Sequence, residues 1–192
     1  MNSIFDFLIS LDIQVLFLIN GQWINPTLDQ FFPAITDLHK TLAFKIIVPI
    51  LFLTLSLKKY GKKGFAVFLG ILLSLSLSDF LGTQLFKKNF QRPRPNVTLG
   101  SAVITRSPGA GYSFISNHAA NMFCFATACL LFLGQRFIFM YFLAFVVAYS
   151  RIYNGVHYPS DVIAGALWGS LVAYVVFKIF HKIFLFQRNA LQ

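Results

Sequence analysis

At 192 residues, 57% hydrophobic and only 11% charged, the chain is too apolar for an ordinary soluble domain, whose charged share is nearer about 25%. Its net charge of +10 sets 16 Lys and Arg against six acids, all aspartate. In so apolar a chain this balance points to anionic lipids or phosphorylated substrates and away from nucleic acid, and the length suits one domain over residues 1–192.

Taken in chain order, Ser3 to Ile19 is a hydrophobic segment interrupted by Asp6 and Asp12. With no basic stretch before it, it does not read as a cleavable signal. Its two acids leave two readings, a short span facing protein or a helix lying in the membrane interface. The stretch GQWINPTLDQFFPAITDLHK that follows, with Trp23, Pro26 and Pro33, reads as interfacial.

Five further segments approach the length of about 20 apolar residues that a helix needs to cross a bilayer. They run from Thr41 to Leu57, Gly64 to Phe86, His118 to Leu133, Phe137 to Ile152 and Pro159 to Phe186. The predicted fold is all-α: a multipass transmembrane bundle of five spans plus the N-terminal helix, six in total. Cys124 and Cys129 fall in one apolar run and read as buried free thiols. Asp79, inside the second span, should face the bundle and hold the helix that carries Lys87. Gly165 and Gly169 share a helix face with Asp161 and suit close helix packing.

The loops alternate sides. One side receives Lys58, Lys59, Lys62, Lys63, Arg136, Lys178, Lys182 and Arg188, and the positive-inside rule makes it cytoplasmic. The other side receives the long loop from Lys87 to Asn117 and the short loop RIYNGVHY. Both are expected on the outer face of a bacterial-type cytoplasmic membrane.

Three polar clusters meet there. KKNFQRPRP gathers Lys87, Lys88, Arg92 and Arg94 between stiffening prolines. By itself it reads first as a snorkelling belt; its functional reading is anion capture by guanidinium forks and ammonium charge. SFISNH places Ser116 as a helix N-cap, so the amides of Asn117, His118 and Ala119 become orphan donors that attract an anion. Alone, His118 is more simply a capping histidine. SRIYNGVHYPSD ends one helix at Ser150 and Arg151 and starts the next at Pro159, with His157 just outside and Asp161 in the first turn. That spacing lets the carboxylate reach back to the imidazole. Arg106 and Lys88 are further candidates for headgroup contacts, although a solvated loop charge is the plainer reading.

Together, Lys87 with Arg94-Pro95 seven positions on, Ser116-x-His118, and Ser150-Arg151 with His157 and Asp161 are similar to the tripartite signature of the type 2 phosphatidic acid phosphatase family. The resemblance covers about residues 41 to 180. It implies a helical membrane phosphatase or diphosphatase that acts on lipid phosphates and needs no metal or other cofactor. It implies that His157 attacks phosphorus to form a phosphohistidine, that Asp161 holds His157, and that His118 protonates the leaving oxygen. Lys87, Arg94, Arg151 and Ser116, with the Asn117 amide, would bind the phosphoryl oxygens. The expected partners are a lipid phosphate entering from the bilayer and the membrane lipids themselves.

The second motif departs from the family's usual Pro-Ser-Gly-His, with Ile115 and Asn117 in the first and third places. Asn is among the residues least penalised where glycine's backbone freedom is needed. It also inclines the substrate reading towards lipid A among phosphatidic acid, phosphatidylglycerol phosphate, undecaprenyl diphosphate and lipid A 1-phosphate. The rival readings are a vanadate haloperoxidase, which shares such a site, and a non-catalytic protein that binds anionic lipids.

Overall fold

A computed structural model describes residues 3–185. Among them every regular element is helical: α1 (Ser3–Phe17), α2 (Pro26–Asp37), α3 (Leu42–Tyr60), α4 (Gly64–Gly82), two short turns α5 (Lys88–Phe90) and α6 (Pro95–Thr98), α7 (Asn117–Ala128), α8 (Met140–Tyr153) and α9 (Pro159–Phe180). Wide π turns prolong α1 to Gln22, α4 to Lys87, α7 to Leu133 and α9 to Leu185. Phe186, the expected end of the last span, and Arg188 of the basic tail lie outside the described residues.

Among the described residues, four helical runs are long and apolar enough to cross a membrane: Ile4–Gln22, Leu42–Thr98, Gln135–Tyr153 and Pro159–Ile183. The second of them contains both α3 and α4, folded against each other at Gly61, whose φ of +57° suits only glycine comfortably. A fifth, Asn117–Leu133, is shorter. Apolar side chains cover the outside of the bundle. On α9, Ile163, Leu167, Leu171 and Tyr174 recur every three or four residues and stand exposed, as a lipid-facing stripe should.

The most extensive helix contact is α7 on α9. Its cause lies in Gly165 and Gly169: a Cβ on Gly169 would come within 1.9 Å of the Ala120 carbonyl oxygen, and one on Gly165 within 2.6 Å of the Ser116 oxygen. The two backbones therefore touch. Beneath the polar face, Phe132, Val67, Ile71, Cys124 and Cys129 form an apolar core, and both cysteines are free and buried.

The N-terminal segment is fastened to the polar end of the bundle by its acid and amide. Although α1 is long enough to cross, its Asp12 bonds Arg92 and Ser160 while its continuation places Asn20 on Ile104 and Tyr153. Those partners all belong to one polar face, so this stretch runs along that face. α2 does likewise, with Asp29 bonded by Arg106 and Tyr153 and Thr36 bonded by Arg151. Leu16, Ile19 and Phe32 seat both helices on Tyr153, Tyr158 and Val162.

Candidate active site

The loops above the bundle are fastened by their arginines. Arg94, 6% exposed, stands just before Pro95 opens α6. Its Nε donates to the Gly111 carbonyl (3.0 Å), Nη2 to Ala110 (2.7 Å) and Nη1 to Val156 (2.7 Å). The same Nη1 lies 3.0 Å from His157 Nε2. Lys87, half-buried at the end of the π turn that prolongs α4, donates to the Tyr112 carbonyl at 2.8 Å.

His157 is 2% exposed in the turn between α8 and α9. Its Nδ1 faces Asp161 Oδ2 at 3.4 Å, at the long edge of hydrogen bonding. Arginine has only donors, so the nitrogen it meets, Nε2, must be the acceptor, and the ring proton then sits on Nδ1 towards Asp161. Burial pushes the imidazole down to about 3; the Asp161 carboxylate opposes this, and the charges of Arg94 and Arg151 add to it. The ring is thus neutral near pH 7, with a lone pair on the nitrogen beside Arg94. Asp161 is fully buried, and its Oδ2 also accepts the Tyr158 amide (2.9 Å), closing the N-terminus of α9.

Ser116 caps α7, its Oγ accepting weakly from the Ala119 amide at 3.5 Å, and its own amide donates to the Asp161 carbonyl. That bond ties the second motif to the third. Arg151 is 3% exposed and donates from Nη1 to Thr36 Oγ1 (2.7 Å) and, at 3.5 Å, to Ser107 Oγ, while its Nε has no partner. His118 sits in the first turn of α7 with a buried, unpartnered Nε2. Its ring lies edge-on to His39, centroids 5.2 Å apart. Among the described residues, no three His, Cys, Asp or Glu side chains gather to hold a metal. Surface clefts of about 760 and 580 Å³ lie at the other end of the bundle, around Lys58, Lys59, Arg136 and His181, remote from this group.

Two expectations, for Arg92 and Arg106, are corrected, and the open question of the Asn117 side chain is answered. Arg92 is no part of a free anion-capturing patch, because both terminal nitrogens of its guanidinium already meet carboxylates, those of Asp161 and Asp12. Arg106 does not await headgroups: it is ion-paired with Asp29, stacked on Tyr153 and bonded to the Asn20 and Tyr153 carbonyls. The Asn117 side chain turns away to Asp79 (3.0 Å) and Thr83 (3.1 Å) on the α4 run, leaving only its backbone amide at the helix end. Asp79 also takes Asn121, so it pins α4 to α7 as a structural acid should. Lys88 stays exposed. Four residues of this face escaped the sequence reading: Asn20, His39, Thr36 and Ser107. His39 could have been found only as a histidine near a predicted interface, and the other three carry no signal in sequence.

A lipid A 4'-phosphatase of Bacteroides thetaiotaomicron is 29% identical to the chain over 93% of it and 80% of its own length. An undecaprenyl-diphosphatase of Sulfolobus acidocaldarius is 30% identical over 69% of the chain and 62% of its own. The crystal structure of Aquifex aeolicus LpxE superposes with a TM-score of 0.72 at 29% identity, covering 88% of this chain and 95% of that one. The family pattern of the PAP2 superfamily matches residues 64–185, which hold all three polar motifs. The chain belongs to the PAP2 superfamily and is a membrane lipid phosphatase.

Proposed function

We propose that this phosphatase removes a phosphate monoester from a lipid A-type glycolipid, through a phosphohistidine on His157, at the outer face of the cytoplasmic membrane. The observation that carries the mechanism is the His157 ring itself, with one nitrogen turned to Asp161 and the other, unprotonated, beside Arg94. Neutral imidazole is the nucleophilic form. When phosphate enters, Arg94 exchanges the ring for phosphoryl oxygens, and Lys87, Arg151 and the Ser116–Asn117 end of α7 join it around the developing charge.

Nε2 then attacks phosphorus in line with the leaving lipid oxygen. The P–N bond forms as the P–O bond breaks, the imidazole becomes cationic, and Asp161 balances it through Nδ1–H. His118, brought to its cationic form when the substrate's phosphate charge lies beside it, gives that proton to the departing oxygen. It then takes a proton from water, which attacks phosphorus and releases phosphate and the neutral His157 ring. Lys87, Arg94 and Arg151 stand at the end of the bundle opposite the exposed Lys58 to Lys63 turn, which supports an extracytoplasmic site.

Lipid A is favoured because the relative named for it matches over 93% of the chain. Purified protein in detergent is offered lipid A, undecaprenyl diphosphate, phosphatidylglycerol phosphate and phosphatidic acid, and released phosphate is measured. Fastest turnover on lipid A is the expected result. Preference for undecaprenyl diphosphate would move the substrate assignment, and release from none of the four by folded protein would defeat the proposal.

A further inference from the structure

We propose that Arg92 is a positioning residue for the reaction: anchored by Asp12 of α1, it holds the Asp161 carboxylate in the orientation that serves His157. The inference rests on the His157–Asp161 reading above.

The geometry is a closed ring of bonds. Arg92 Nη1 donates to Asp161 Oδ1 at 2.7 Å and to Ser160 Oγ at 2.7 Å, and Nη2 donates to Asp12 Oδ2 at 2.6 Å. Asp12 in turn accepts from the Ser160 amide (2.8 Å) and hydroxyl (2.6 Å). The guanidinium carbon lies 3.8 Å from the centroid of the Tyr158 ring, so the fork is clamped across its face as well as at its tips. Arg92, Asp12, Tyr158 and Ser160 thereby surround Asp161 on the side away from His157. With Oδ1 taken by Arg92 and the Tyr158 amide on Oδ2, the carboxylate is held with Oδ2 facing His157 Nδ1 at 3.4 Å.

The chemistry needs such a holder. A fully buried carboxylate without a paired cation takes up a proton or swings to another partner. Either outcome would leave the imidazole unsupported at the moment the P–N bond makes it cationic. The other charged groups in reach of Asp161 cannot replace Arg92. His157 is neutral at rest, while Lys87 and Arg94 are fastened to the loop carbonyls of Tyr112 and Ala110. Asp12 faces Asp161 only across the guanidinium, so loss of Arg92 would also set two carboxylates against each other.

The test uses the full-length protein in detergent, with phosphate release from whichever lipid of the panel above it hydrolyses fastest. Arg92→Ala is expected to lower kcat by about ten- to a hundredfold, the scale on which groups supporting a catalytic ligand act. KM should stay within about threefold and the acid limb of the kcat–pH profile should move to higher pH, because the unpaired Asp161 protonates more readily. Arg92→Lys should restore part of the loss. Asp12→Asn should move kcat in the same direction but less, and add nothing to Arg92→Ala, since it acts through Arg92. A wild-type kcat and pH profile for folded Arg92→Ala would overturn the proposal, as would a raised KM at unchanged kcat, which would put Arg92 on the substrate. Should Arg92→Ala not fold, Asp12→Asn decides alone, and wild-type kcat and profile there overturn it. His157→Ala runs beside them. If it stays active, the underlying reading falls; if it is inactive while Arg92→Ala behaves as wild type, only the role of Arg92 falls.

Discussion

The two ends of the bundle hold the same kinds of cation in opposite conditions. At the far end Lys58, Lys62, Lys63 and Arg136 stand exposed and meet no carboxylate among the described residues. At the active end Arg92, Arg94, Arg106 and Arg151 are buried or half-buried, each with named acceptors at 2.6 to 3.5 Å. Exposed charge is screened within about 10 Å and makes no demand on geometry. Buried charge needs acceptors at defined positions, and supplying them builds a site.

The contrast can be broken or sharpened by substitution. The largest effect is expected from His157→Ala, which removes the nucleophile and should abolish phosphoenzyme and cut turnover at least about a thousandfold. Trapping of ³²P-labelled enzyme by acid quench reads this directly. Arg94→Ala should cost about a hundred- to a thousandfold in kcat/KM, the range for removing one donor from a preorganised anion site. A smaller loss would mean that Lys87 and Arg151 can hold the phosphoryl group without it.

Next comes Gly169→Val, which drives a side chain into the Ala120 carbonyl. It should lower the thermal midpoint of the detergent-solubilised protein by an amount equivalent to about 1–3 kcal/mol or more. An unchanged midpoint would show that α7 and α9 can part.

Acid gives a milder effect. Unfolded, His157 takes a proton near pH 6.5, whereas the folded ring refuses it until about pH 3. The unfolded chain therefore binds more protons across that window, and stability falls as pH drops through it. Histidine ¹⁵N shifts that keep the neutral Nδ1–H pattern at pH 5 would agree with this; a protonated ring there would contradict it. At the bottom of the scale, Lys62→Ala on the far face should leave turnover within about twofold, in keeping with an exposed and screened charge.

What could be read from sequence was whatever lies close along the chain. The apolar runs, the Pro159 helix start, the Ser116 cap and the four-residue step from His157 to Asp161 are local features, and the structure places each as expected. The identity of a partner far away was not legible. Arg92 and Arg94 differ by two positions in one basic run, yet one meets Asp12, 80 residues earlier, and the other meets His157, 63 residues later. No local pattern separates them. Asn117 looked like a stand-in for glycine until Asp79, 38 residues away, claimed its side chain. The helical register showed that Gly165 and Gly169 share a face, but not that the Ala120 and Ser116 backbone would occupy it.

The contact at Gly169 bears on how a lipid reaches the polar face around His157. Where two helices meet backbone to backbone, no acyl chain can wedge between them without first breaking the helix pair that carries His118 on one side and Asp161 on the other. The α7–α9 seam is therefore a sealed wall of the bundle. A lipid tail has to pass between other helices, and the route can be mapped by crosslinking from lipid-facing positions such as Ile46 and Ile50 on α3, set against Leu167 on α9.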